Sequence, residues 1–163
     1  MINTDRVQRA IDNFMQGYGC CQSVVAAFAD AYGLDDTMAK RISAGFGGGV
    51  GRMRGMCGAV SALVILAGLE RGQTEDSDRE GKSACYKLVQ QLVNEFKERN
   101  GSTICAELLK MSNAIPDTDT HIPDERTAEY YRKRPCVRKV ESAARIFAEY
   151  MSQKDDSAEQ HHL

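Results

Sequence analysis

Apolar residues recur every three or four positions along almost the whole chain, and that period confines it to helices. Val7, Ala10, Ile11 and Phe14 form the buried stripe of a first helix, which Gly17 and Gly19 break. A second predicted helix runs from about Cys20 to Tyr32 and stops at Gly33, the usual C-terminal cap. Asp35 is placed to cap a third helix through Ile42. Gly45 to Gly55, GFGGGVGRMRG, is too rich in glycine for a stable helix and reads as a turn. From it rises the most apolar predicted helix, Cys57 to Leu69, placed at the centre. Ser77 and Glu80 are spaced as a capping box for a fifth helix with the apolar face Cys85, Leu88, Val89, Leu92 and Phe96. Gly101 lies just past its end. A short helix around Ile104 to Lys110, a polar loop from Ser112 to Asp124 and a last helix from Pro135 through Met151 follow. Strand-like alternation never persists beyond a few residues. The expected fold is all-α: a single compact bundle of six to seven helices over residues 1–153, with a polar, disordered tail at 154–163.

A chain of 163 residues suits one hydrophobic core. Its formal net charge of -2 sets up no field that would recruit nucleic acid or an anionic membrane, so neither is an expected partner. The longest apolar stretch, Gly55 to Leu69, is too short to span a bilayer, and the first residues do not read as a secretion signal. A cytoplasmic address is the expectation. So helical a chain with an apolar central helix is also compatible with a homodimer.

Six cysteines in a reducing compartment are core residues, reactive thiols or metal ligands rather than structural disulfides. None forms a Cys-x-x-Cys pair, so any shared site must be assembled from distant positions. Cys20 follows Gly19, Cys57 follows the glycine-rich turn, Cys105 follows Gly101 and Ser102, and Cys136 follows Pro135. All four therefore fall in predicted first turns of helices, where free amides and the helix dipole favour a thiolate. Such positions lower a thiol pKa from about 8.5 to roughly 3.5–7.5. Arg52 and Arg54 precede Cys57, and Arg132, Lys133, Arg134, Arg138 and Lys139 flank Cys136. The competing reading is packing, since free cysteines are among the most buried residues. It is the preferred one for Cys85 on its apolar face, and Cys21 reads as packing or a spare thiol.

Four segments together carry a family resemblance: Gly17-Tyr18-Gly19-Cys20-Cys21-Gln22-Ser23-Val24; GFGGGVGRMRGMCGAVSALVILAGL from Gly45 to Leu69; Ser102 to Leu109; and a late Cys136. In this order they resemble the C_GCAxxG_C_C family of redox-active proteins, some of which carry selenocysteine at a cysteine position. The resemblance covers nearly the whole chain. It implies that Cys20, Cys57, Cys105 and Cys136 are the family cysteines, and that Phe46, Gly47, Gly49, Gly51 and Arg52 belong to its glycine turn. Ala62 stands where the family motif has glycine, a change small enough to preserve close helix packing. Members encoded beside oxidoreductases or transporters imply redox chemistry without a named substrate.

Three functions remain open at this point. The first is a thiol–disulfide oxidoreductase-like protein or electron carrier in which cysteine pairs cycle with a redox partner protein or a small thiol or disulfide. Motif order suggests Cys20 with Cys57 and Cys105 with Cys136, although four cysteines allow three connectivities. The second is a metal protein in which Cys20, Cys57, Cys105 and Cys136 ligate zinc, iron or an iron–sulfur cluster. The third is a non-catalytic helical binding module. The glycine turn, through Gly47, Gly49, Gly51 and Arg52, also invites comparison with a cofactor-phosphate loop. No strand precedes it and no Gly-Lys-Ser/Thr ending follows, so a turn permitting close backbone approach to Cys57 is the preferred reading.

Overall fold

The computed structural model describes residues 1–162, and the expected tail's last residue, Leu163, lies outside them. Among the described residues there are eight α-helices and no strand. They are α1 (Thr4–Met15), α2 (Cys20–Phe28), α3 (Asp36–Ala44), α4 (Gly58–Arg71), α5 (Arg79–Asn100), α6 (Cys105–Met111), α7 (Ala128–Lys133) and α8 (Cys136–Gln160). The all-α expectation holds, with α7 the added helix. Thr127 caps α7 by accepting from the Tyr130 N–H at 3.1 Å, and none of its residues is fully buried. A short helix with no buried stripe leaves no apolar period to find.

α4 is the central helix, burying Val60, Ala62, Leu63, Leu66 and Ala67. It packs on α2, α5 and α8, while α2 also meets α1 and α3. Phe28 from α2 meets Phe147 from α8 edge to face, with ring centroids 5.1 Å apart. No helix among the described residues is long and apolar enough to cross a membrane.

Two helix boundaries and the burial of one cysteine differ from the sequence reading. The predicted second helix is α2 followed by a 3-10 turn, Ala29–Tyr32, closed by Gly33 at φ 70°. Asp78, not Ser77, caps α5 by accepting from the Gly81 N–H at 2.8 Å; a carboxylate suits the positive helix end better than a hydroxyl. Cys85 is half-buried rather than in the core, because every residue from 79 to 87 is at least partly exposed where α5 begins.

α8 also runs beyond Met151 to Gln160, through the segment expected to be a polar tail. Its continuation is anchored by Glu70, a carboxylate at the end of α4 whose side chain is only 4% exposed. Glu70 accepts from the Tyr32 hydroxyl at 2.7 Å and the Tyr150 hydroxyl at 3.3 Å, and pairs with Lys154 at 2.7 Å. Burial opposes its ionisation, but these partners, Lys154 first, hold the carboxyl below its ordinary range. Its stabilising contribution is therefore present near neutral pH and lost as pH falls through the lowered pKa. Lys154→Ala is expected to destabilise the fold by about 1–3 kcal/mol and to shorten α8, read by thermal unfolding and backbone amide exchange.

Candidate functional site

Cys20, Cys105 and Cys136 are the first residues of α2, α6 and α8, and Cys57 is the N-cap of α4. The placement expected at all four helix starts is the one observed. More than that, the four thiols line one cavity of about 70 Å³ with Gly48, Gly49 and Gly58.

Backbone contacts explain the convergence. Met56 and Ile104 form an isolated antiparallel bridge. Beside it the Cys57 N–H donates to the Thr103 carbonyl at 2.8 Å and the Cys105 N–H to the Gly55 carbonyl at 2.6 Å. The starts of α4 and α6 are thereby tied side by side. Gly58 lets α4 approach α2: a Cβ there would stand 3.0 Å from the Cys20 Cβ and 3.1 Å from the Cys21 N. At Gly49, where φ is +70°, a Cβ would fall 2.6 Å from the Cys105 Cβ and 2.8 Å from the Arg54 Cα. The close approach expected of the glycine turn therefore exists, but it is made to Cys105 rather than to Cys57.

The turn's other residues face elsewhere. Gly47, Gly51 and Arg52, proposed from sequence as cofactor-binding, line an adjoining open cleft rather than the thiol cavity. Arg52 donates through Nη2 to both Asp124 oxygens at 3.0 Å and through Nη1 to the Thr120 carbonyl at 3.1 Å, so it clamps the 112–127 loop. Val50, Arg52 and Arg54 all take left-handed φ values of 62–68°. Non-glycine residues held so cost of order 1–3 kcal/mol each and need surrounding structure to keep them there. Here the arginines' loop contacts supply it.

Of the cations that flank Cys136 in sequence, only Arg134 and Lys139 line the cavity with it. Arg54, Arg126, Arg134 and Lys139 line the cavity. Arg132 and Lys133 instead line a separate surface hollow with residues 112–119. Arg54, expected beside Cys57, directs Nη1 at the Cys105 sulfur, 3.9 Å away. Arg126 and Tyr130 carried no sequence signal, since they sit between a polar loop and a helix without apolar period. Arg126 is fixed by donating to the Phe14 carbonyl at 3.0 Å and the Tyr18 carbonyl at 2.9 Å.

Three of the four thiols are raised, Cys57 and Cys105 by burial that overrides the helix dipole and Cys20 first by its hydrogen bond to Cys136, which corrects the expectation of lowered pKa values at all four helix starts. Desolvation pushes Cys57 up to about 12, the Ala59 and Val60 amides offsetting only part of it. It also raises Cys105, against the Arg54 hydrogen bond and charge. Cys20 and Cys136 face one another: the Cys20 thiol donates to the Cys136 sulfur, which raises Cys20 and lowers Cys136. Cys136 comes down to about 7, through that hydrogen bond and against burial, with further help from the charges of Arg134, Arg126 and Arg54. The strongest coupling between two of these thiols is thus Cys20 with Cys136, a combination that motif order does not suggest. Cys21 is fully buried and pushed up to about 12 by desolvation, which fits packing.

No three His, Cys, Asp or Glu side chains among the described residues are gathered at metal-holding spacing. The four cysteines share a cavity without forming a ready tetrahedral ligand set.

Alkylation of Cys136 should titrate with an apparent pKa near 7. In Cys20→Ala, which removes the donor, the midpoint is expected to move upward by about one unit or more, read as iodoacetamide reactivity against pH.

No curated protein and no solved structure matches the chain. A family model does, over residues 18–150; its description is "Putative redox-active protein (C_GCAxxG_C_C)". That span runs from just before Cys20 into α8 and takes in all four convergent cysteines, and the chain belongs to the C_GCAxxG_C_C family.

Proposed function

We propose that the protein is a dithiol–disulfide exchanger in which Cys136 is the attacking thiol and Cys20 the resolving one. The observation that carries this reading is that Cys20 and Cys136, each the first residue of a helix, line one cavity with Arg54, Arg126 and Arg134; the Cys20 thiol and these charges bring Cys136 down to about 7, while Cys20 itself is raised. An attacking thiol works best with a pKa near ambient pH, because a more acidic thiolate is also a weaker nucleophile.

The chemistry balances without a cofactor. The Cys136 thiolate attacks one sulfur of a substrate disulfide RSSR; a Cys136–SR bond forms and the S–S bond of RSSR breaks, releasing RS⁻. The Cys20 sulfur, surrendering its proton to that leaving thiolate, then attacks the Cys136 sulfur and expels the second RS⁻. This second thiolate takes up a proton equivalent to the one Cys136 gave up when it ionised. The two cysteines lose two electrons and become a Cys20–Cys136 disulfide, while RSSR gains two electrons and two protons to become two RSH. A reducing dithiol, small or on a partner protein, resets the pair by the reverse exchange. Cys57 and Cys105 are raised as Cys20 is, but they couple to Cys136 through charge alone, whereas Cys20 hydrogen-bonds its sulfur. Both shape the cavity in this reading.

Oxidation of the reduced protein with an equivalent of diamide, followed by peptide mass mapping without reductant, is expected to give a Cys20–Cys136 disulfide as the main product. Cys136→Ala should reduce exchange with a small disulfide by about 100-fold or more, and Cys57→Ser by less than about tenfold. A dominant disulfide through Cys57, or exchange that survives loss of Cys136, would overturn the assignment.

A further inference from the structure

The charge of the cavity is more than thiol exchange requires. Four cations line it, Arg54, Arg126, Arg134 and Lys139, and no carboxylate does. Three of the four are occupied: Arg126 by backbone carbonyls, Arg134 by Asp124 at 2.7 Å, and Lys139 by the Asn100 side-chain oxygen at 3.1 Å. Arg54 is not. Its Nε donates to the Asp117 carbonyl at 3.0 Å and its Nη1 points at the Cys105 sulfur. Its Nη2 is fully buried without any hydrogen-bond partner, on a side chain only 5% exposed. The nearest carboxylate, Asp124, stands off at 4.0 Å and is already shared by Arg52 and Arg134. A buried guanidinium N–H with no acceptor is costly to keep, and buried donors in native proteins are rarely left so without a role.

The space around this donor has two parts. The thiol cavity, about 70 Å³, has room for one small group and no more. It adjoins an open cleft of about 630 Å³, with Gly19, Gly48, Arg54, Arg126, Tyr130 and Arg134 shared between their walls. That larger volume is within the range of small-molecule sites. Arg54 thus stands where a molecule lying in the cleft reaches the thiols.

We propose that the substrate is a low-molecular-weight disulfide bearing carboxylates, and that Arg54 Nη2 binds one carboxylate and selects for it. This rests on the thiol-exchange reading above and adds the chemical class of RSSR. The carboxylate supplies the acceptor that Arg54 lacks, and the attached sulfur is carried toward Cys136. Guanidinium–carboxylate hydrogen bonds are charge-assisted and about twice as strong as neutral ones, so one such contact gives useful discrimination.

The test uses the full reduced protein and three small dialkyl disulfides: dithiodiglycolate with two carboxylates, neutral 2-hydroxyethyl disulfide, and cystamine with two ammonium groups. Thiol release is followed for each, and each rate is divided by that of the same disulfide with dithiothreitol, which removes intrinsic reactivity. Normalised kcat/KM is expected to favour dithiodiglycolate over the neutral disulfide by about tenfold or more, with cystamine slowest. The preference should shrink as salt rises, a readout that needs no variant. Arg54→Gln should lower the dithiodiglycolate rate about tenfold more than the neutral rate, chiefly through KM, and Arg54→Lys should recover part of the difference. Equal normalised rates for the three disulfides, or an Arg54→Gln loss common to all, would overturn the selectivity while leaving thiol exchange standing. No reaction with any of them, at a rate above that of denatured protein, would instead overturn the exchange reading and this inference with it.

Discussion

Four helix starts meet around one small cavity only where backbone can approach backbone, and Gly49 and Gly58 are the positions at which it does. Adding a Cβ at Gly49 would place it 2.6 Å from the Cys105 Cβ, and at Gly58 3.0 Å from the Cys20 Cβ. Both contacts involve a site cysteine, so the cavity's dimensions depend on these two missing side chains. The turn that carries Gly49 holds Val50, Arg52 and Arg54 in left-handed conformations that other residues rarely adopt. What keeps them there is the loop across from them: Arg52 reaches Thr120 and Asp124, and Arg54 reaches Asp117. A segment with no helix of its own is thereby fixed against the turn.

The electrostatics of the site follow from competition between burial and the helix dipole. Each sulfur sits where the dipole favours a thiolate, yet Cys57 and Cys105 are raised because desolvation of a thiolate outweighs partial charges at a helix end, and Cys20 is raised first by donating to Cys136 and then by burial. Cys136 escapes because it gains a thiol donor from Cys20 together with the nearby charges of Arg134, Arg126 and Arg54. One reactive sulfur among protonated neighbours is a more useful arrangement for exchange than four equivalent thiolates, which would repel one another.

The two ends of α4 separate reactivity from stability. Cys57 caps its start, in the cavity, and Glu70 stands near its other end with Tyr32, Tyr150 and Lys154. A helix of 14 residues spans about 21 Å, so changes in thiol protonation at one end are far from the buried carboxylate at the other. Between them Leu63 and Leu66 fill the core with Phe28 and Phe147. The charged Glu70 cluster also explains why α8 continues past its apolar stripe: Lys154 adds an ion pair where packing has ended.

By itself the sequence determined the helical class, the central place of the Cys57–Leu69 stretch and the presence of Cys20, Cys57, Cys105 and Cys136 at helix starts. These are local properties, read from apolar spacing, glycine breaks and the motif order shared with the family. It did not show α7, whose six residues have no buried stripe, or the Asp78 cap, which competes with Ser77 one position away. The tertiary structure decided that the four thiols share one cavity and which cations line it with them. Cys20 and Cys136 are 116 positions apart (136 minus 20), and Arg126 lies in a stretch with no pattern. Thiol pairing and pKa depend on distance, burial and charges brought together by folding, and spacing along a chain carries none of these.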